Sequence, residues 1–178
     1  MVKDYDIEPM FTEEELDKKI RELGERISAD YKGKDIHIVC ILRGAVVFTA
    51  ELIKRINNEN LDIDFMSVSS YGNEMTSSGD IKIIKDLDEP IEGKDVLIVE
   101  DIIDTGKTLA KLVALLKTRN PKSIEICTLL DKPERREANV NVKYVGFKIP
   151  DKFVVGFGID YAQKHRGLPY IGCVKNTD

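Results

Sequence analysis

Between residues 36 and 130 the chain alternates short apolar runs with amphipathic ones, and this alternation limits the fold more than any other feature. Residues 36–42, IHIVCIL, are almost unbroken in their apolarity, as a strand must be when both faces of its sheet are covered. A helical pattern follows over residues 45–57, then strand-like segments at 63–69 and 81–85. A further strand at 95–99 precedes a helix whose buried side is Thr108, Leu109, Leu112, Val113 and Leu116, and an apolar strand closes the series at 123–130. Strands alternating with helices predict an α/β fold with a mainly parallel, twisted sheet flanked by helices.

The flanks read differently. Thr12 precedes Glu15 by three residues, a capping-box spacing. Leu16, Ile20, Leu23 and Ile27 then give one apolar face, so a helix is expected over residues 13–29. Gly24 weakens it by roughly 1 kcal/mol relative to alanine. After residue 130 the strands come closer together, at 142–147 and 153–159, with little helix between them, which predicts a small flap or hood. A chain of 178 residues holds one substantial core. The expected organisation is therefore a single domain over 1–178, with a core at 36–140, a hood mainly from 141–178 and the N-terminus as a further contributor. The polar stretch around residues 70–79, rich in small residues, is expected to be a long mobile loop.

Composition excludes some functions. A formal net charge of -5 argues against general nucleic-acid binding, which draws its affinity from basic residues. Cys40, Cys127 and Cys173 lack metal-ligand spacing, and Cys40 and Cys127 sit in apolar runs, which suits buried thiols in a reducing compartment. MVKDYDIEPMF lacks the charged and apolar pattern of a signal peptide, and no apolar stretch approaches membrane-spanning length. A cytoplasmic protein without nucleic-acid or membrane partners is expected.

The chemistry concentrates in VLIVEDIIDTGKTLA, residues 96–110. Glu100 and Asp101 end a strand, Asp104 follows, and Thr105, Gly106, Lys107 and Thr108 lead into a helix. Ligands of open parallel sheets gather at the carboxyl ends of the strands. A helix start offers unpaired N–H groups and a positive dipole end, a cradle for a phosphate. The polyphosphate loop of nucleotide triphosphatases fails on spacing, because Asp101 stands where its first glycine belongs. Ionised carboxylates only accept hydrogen bonds, and a sugar diol supplies two donors side by side. A phosphorylated ribose satisfies both halves of the segment. Asp104 alone is equally explained as a helix cap.

This segment resembles the phosphoribosyl-diphosphate motif of the type I phosphoribosyltransferases. Together with Leu42, Arg43 and Gly44, residues 69–72 (SSYG), 129–132 (LLDK) and 150–156 (PDKFVVG), the chain resembles the hypoxanthine-guanine phosphoribosyltransferases over nearly its whole length. The resemblance implies magnesium-dependent transfer of 5-phosphoribosyl from 5-phosphoribosyl 1-diphosphate to N9 of a 6-oxopurine. It puts Glu100 and Asp101 on the ribose hydroxyls, Asp104 near purine N7 as general base or electrostatic stabiliser, and Thr105 to Thr108 on the 5-phosphate. Leu42, Arg43 and Gly44 match the pyrophosphate loop, with a cis peptide between the first two, and Arg166 a further pyrophosphate contact.

On the purine side, Lys132 matches the lysine that reads the exocyclic oxygen at C6, and Phe153 the residue that stacks on the ring. The backbone at Val154 matches the group reading the base edge, and Lys152 lies in the same purine-binding hairpin. Asp160, assigned to the purine side, matches a carboxylate that contacts magnesium directly or through water, as Glu100 and Asp101 do. Ser70 and Tyr71 match a lid over the reacting centre. A homodimer or homotetramer is implied by the resemblance only. A xanthine preference, a nucleic-acid-binding regulator on the same fold and a structural subunit with a relic site are the alternatives. Read without the family, Arg43 is equally a solvated strand-end charge and Phe153 a core aromatic.

Overall fold

The computed structural model describes residues 5–70 and 81–176, and for Ser70 and Asn176 the backbone only. The lid residue Tyr71 and the expected mobile loop therefore lie outside the described residues. Strand β1 (Tyr5–Phe11) leads into helix α1 (Glu13–Asp30) through the Thr12–Glu15 capping box. Thr12 Oγ1 accepts from the Glu15 N–H at 3.2 Å, and the Thr12 N–H returns a bond to Glu15 Oε2 at 2.8 Å.

Strands β2 (Ile36–Ile41), β3 (Leu61–Ser70), β4 (Ile81–Lys85), β5 (Asp95–Ile103), β6 (Ser123–Asp131) and β7 (Tyr144–Lys148) form one sheet in the order β4-β3-β2-β5-β6-β7. All neighbours in it are parallel except β3 and β4, which are antiparallel. Helices α2 (Val46–Ile53) and α3 (Lys107–Lys117) complete the crossovers.

The sheet has a core on each face, sorted by the two-residue period of its strands. Ile36, Ile38, Leu97, Val99, Cys127 and Leu129 pack with α1 and α2 through Leu16, Ile20, Phe48 and Leu52. Val39, Ile41, Val96, Ile98 and Ile126 pack with α3 through Leu109, Leu112 and Leu116. A second sheet, order β1-β9-β8, joins both ends of the chain: β9 (Ile171–Asn176) runs antiparallel to β1 and to β8 (Val154–Val155). Among the described residues no helix is long and apolar enough to cross a membrane.

Several boundaries differ from the sequence reading. Strand β5 runs on to Ile103, so Glu100 and Asp101 are strand residues, fixed by pairing with β6 at Glu100↔Thr128. Helix α2 stops at Ile53 rather than 57. The strand expected over 153–159 shrinks to Val154–Val155, because Gly156 and Gly158 both take φ +100° and turn the chain away.

Candidate active site

The carboxyl ends of β2, β5, β6 and β7 share one edge of the large sheet, and the candidate residues collect there. After β2, the Leu42–Arg43 peptide is cis. A Cβ on Gly44 would lie 1.7 Å from Asp101 Oδ2, so the backbone of this loop rests directly on the carboxylate. From the other side Gly158 closes in, with no room for a Cβ against the Gly44 carbonyl at 2.1 Å. Arg43 Nη1 donates to Gln163 Oε1 at 3.2 Å, and Arg166 Nη2 donates to the same oxygen at 3.1 Å. Arg166 also pairs with Asp160 Oδ1 at 2.8 Å and donates to the Gly158 carbonyl at 2.8 Å. Asp160 Oδ2 accepts from the Gln163 N–H at 2.7 Å. Arg43 and Arg166 therefore converge on one amide oxygen beside the 42–44 loop, and Gln163 was not among the residues singled out in the sequence.

Glu100 and Asp101 lie deep in this crevice. Burial, and then the neighbouring Asp101 charge, push the Glu100 carboxyl well above its ordinary range. Burial lifts Asp101 to about 6, against the opposing pull of the Ile102 N–H and of Arg166. Among the described residues no cation pairs with either acid, which leaves two adjacent carboxyls able to meet something electropositive or hydrogen-donating. Magnesium takes oxygen ligands and keeps several waters. Among the described residues no three His, Cys, Asp or Glu are disposed to hold a metal alone. The chemistry of Glu100 and Asp101, with Asp160 across the crevice, nonetheless suits a hard cation that draws most of its ligands from substrate and water.

Beyond β5, Glu100, Asp104, Thr105, Gly106 and Thr108 line a cavity of about 260 Å³, a size for one phosphate and part of a sugar. Helix α3 starts at Lys107, two residues earlier than expected, with Gly106 as its N-cap at φ +77°. The N-cap glycine supplies no side-chain cap; Thr105 Oγ1 accepts from the Lys107 N–H at 3.4 Å, and the other first-turn N–H groups are open to a ligand. Lys107 does not line the cavity: its ammonium pairs with Glu137, and its N–H donates to Thr105 Oγ1. The 136–140 segment braces the loop, because the N–H groups of Glu137 and Ala138 donate to the Thr105 carbonyl at 2.9 and 3.1 Å.

On the third side, Lys132 follows β6 with 7% exposure and pairs with Asp151 at 3.3 Å. Phe153 stands 53% exposed, edge-on to Tyr161 at 5.2 Å, and Val154 is buried beneath it. Lys152 is exposed, and its N–H donates to the Pro150 carbonyl at 2.8 Å. Asp104 accepts from Arg135 Nε at 2.9 Å. Neither Arg135 nor Asp151 was legible as a site residue. In sequence they are two charges among many on exposed turns, and only the adjacency of β5, β6 and β7 brings them to Asp104 and Lys132.

A family model described as a phosphoribosyl transferase domain matches residues 11–162. The hypoxanthine phosphoribosyltransferase of Buchnera aphidicola subsp. Schizaphis graminum is 59% identical over 172 residues, covering 96% of this chain and 97% of the relative. The Escherichia coli K12 protein of the same description is 55% identical, covering 96% of each. This chain belongs to the hypoxanthine phosphoribosyltransferases.

The solved structure of a hypoxanthine phosphoribosyltransferase from Staphylococcus aureus superimposes with a TM-score of 0.90 at 52% identity, covering 94% of this chain and 91% of that one. The fold is thus the type I phosphoribosyltransferase fold, and the chain is an enzyme, a transferase that moves a pentosyl group.

Proposed function

We propose that this phosphoribosyltransferase joins the 5-phosphoribosyl group of 5-phosphoribosyl 1-diphosphate to N9 of hypoxanthine or guanine, releasing pyrophosphate and forming IMP or GMP. The observation that carries the reading is the position of Asp101. It is wedged under the Gly44 loop, beside a helix start that can hold one phosphate. The donor's ribose hydroxyls bond to Glu100 and Asp101, and its 5-phosphate takes N–H groups and hydroxyls of residues 105–108. Arg43, Arg166 and the backbone of Leu42 and Gly44 receive the pyrophosphate.

Lys132 selects the base. An ammonium donates and never accepts, so it accommodates a 6-oxo group and disfavours the 6-amino group of adenine. Phe153 covers the ring, the Val154 backbone meets its edge, and Lys152 flanks it. As the C1–pyrophosphate bond breaks and the C1–N9 bond forms, Asp104 accepts or stabilises the proton that the purine gives up. Glu100, Asp101 and Asp160 would hold magnesium, directly or through water. When bound, the ion supplies charge compensation to the departing pyrophosphate. Ser70 and Tyr71 are assigned to a lid excluding water. The remaining assignments are one domain with a core at 36–140 and a hood from 141–178, a homodimer or homotetramer, and a cytoplasmic location.

The test is turnover with the phosphoribosyl donor and magnesium against hypoxanthine, guanine, xanthine and adenine. Nucleotide formation with the first two, and far less with adenine, supports the reading. Preference for xanthine would replace the base assignment. Salt-sensitive RNA or DNA binding without turnover on any purine would replace the whole.

A further inference from the structure

Four charges of alternating sign cross the ends of three adjacent strands. Lys132 Nζ lies 3.3 Å from Asp151 Oδ1, Asp151 Oδ2 lies 3.5 Å from Arg135 Nη1, and Arg135 Nε donates to Asp104 Oδ1 at 2.9 Å. Lys132 and Arg135 share one 3-10 turn (Pro133–Arg135) capped by Lys132, while Asp104 follows β5 and Asp151 follows β7. The other nearby cations are already engaged, Arg136 with Asp131 and Lys107 with Glu137. Among the described residues Arg135 is therefore the cation paired with Asp104.

We infer that Arg135 is a positioning residue that ties recognition of the purine's 6-oxo group to the carboxylate handling its proton. This rests on the function proposed above. A guanidinium presents donors in a rigid plane, so contact with Asp151 on one edge fixes the direction in which its Nε meets Asp104. Asp151 is held in turn by the nearly buried ammonium of Lys132, which keeps two further donors for the base. A 6-oxopurine that engages Lys132 thus meets an Asp104 already oriented. With the bridge cut, Asp104 must find its orientation in each turnover. Arg135, Asp104 and Asp151 have side-chain exposures of 46%, 45% and 48%, so the two pairs that Arg135 makes add little to stability. That makes a kinetic effect separable from an effect on folding.

The test uses Arg135→Gln, Arg135→Lys, Asp151→Asn and the double variant Arg135→Gln/Asp151→Asn. Each is assayed with hypoxanthine and the phosphoribosyl donor beside the unsubstituted enzyme, with thermal unfolding in parallel. Arg135→Gln is expected to lower kcat about three- to fivefold, the scale of an exposed charge pair. Donor KM and Tm should stay unchanged, and Arg135→Lys should regain part of the loss. Because the two residues act through one bridge, the double variant should lose less than the product of the single losses. An unchanged kcat in Arg135→Gln overturns the inference. So does a loss that follows Tm and that lysine does not repair, and so do losses that multiply. If the unsubstituted enzyme turns over no 6-oxopurine, the proposed function itself has failed and this inference falls with it.

Discussion

Glu100 and Asp101 set two like charges side by side at the bottom of a crevice, and at residue scale this is a conflict between stability and function. A carboxyl whose pKa is raised by the fold stabilises it fully only below the unfolded value. That contribution fades as pH rises through the folded value, about 6 for Asp101, and burial raises Glu100 in the same direction, so setting the two acids together is a net cost at neutral pH. Glu100→Gln should therefore raise the stability of the ligand-free, metal-free protein at pH 7.5 by on the order of 1 kcal/mol, about 2–4 °C in Tm, while weakening donor binding. A lower Tm would overturn this account of the pair. Gly44 is the opposite case, a residue chosen for the atoms it lacks. Its Cβ would stand 2.6 Å from Asp101 Cγ. In Gly44→Ala the carboxylate must move by about an ångström, and kcat/KM for the donor should fall by up to about a hundredfold. Steady-state kinetics with varied donor would read this directly, and a loss under twofold would separate the loop from Asp101.

At the scale of elements, the strand that carries the acids is anchored by a third carboxylate. Asp64, 3% exposed on β3, accepts from the N–H groups of Phe65, Asp88 and Glu89 at 2.6, 2.8 and 3.1 Å, pinning the connection from β4 to β5. Burial alone pushes its pKa up, but the N–H groups of Glu89, Phe65 and Asp88 outweigh it and hold the group below the ordinary carboxyl range. A depressed pKa contributes stability above the unfolded value of about 3.8 and loses it as pH falls through the folded one. Asp64→Asn should cost about 1–3 kcal/mol at pH 7, with the deficit shrinking below about pH 4. Urea unfolding at several pH values would check both, and a deficit independent of pH would assign it to packing. Periodicity made the long elements legible: α1 buries Leu16, Ile20, Leu23 and Ile27 as its pattern nominates, and α3 buries Leu109, Leu112 and Leu116 but leaves Thr108 and Val113 half-buried. Strands β1 and β9 were not read, because YDIEPMF carries three charged or proline positions and IGCVKN is too short for a period. Each becomes a strand only by pairing with the other. The acids and the helix start were legible for the same local reason that Arg135, Asp151 and Gln163 were not. The former lie in one fifteen-residue segment, while the latter join the site only through sheet order.

Across the whole molecule, the two sheets divide the proposed substrates between them. The large sheet presents the donor residues at the ends of β2 and β5, whereas Phe153 and Val154 stand at β8, on the edge of the small sheet. Strand β9 is the shared member, pairing with β8 at Val154↔Cys173 and Val155↔Gly172, and with β1 at Pro9↔Gly172. The small sheet is further tied to the large one by Phe11, stacked on Phe147 of β7 at 4.1 Å. Gly172 is the hinge of this arrangement, since a Cβ there would lie 2.3 Å from Ile7 Cγ2 and 3.2 Å from the Glu8 carbonyl. In Gly172→Val, β1 and β9 cannot keep their spacing, and the displacement passes to β8 through the same residue. The large sheet, none of whose strands pairs with β9, should be left in place. Hypoxanthine KM is therefore expected to rise about tenfold, equivalent to roughly 1.4 kcal/mol of lost base binding, with donor KM within about twofold of the unsubstituted enzyme. Two-substrate initial-rate kinetics would separate the two constants. Equal increases in both would mean that the small sheet supports the entire crevice rather than its purine side, and the division of labour between the sheets would have to be abandoned.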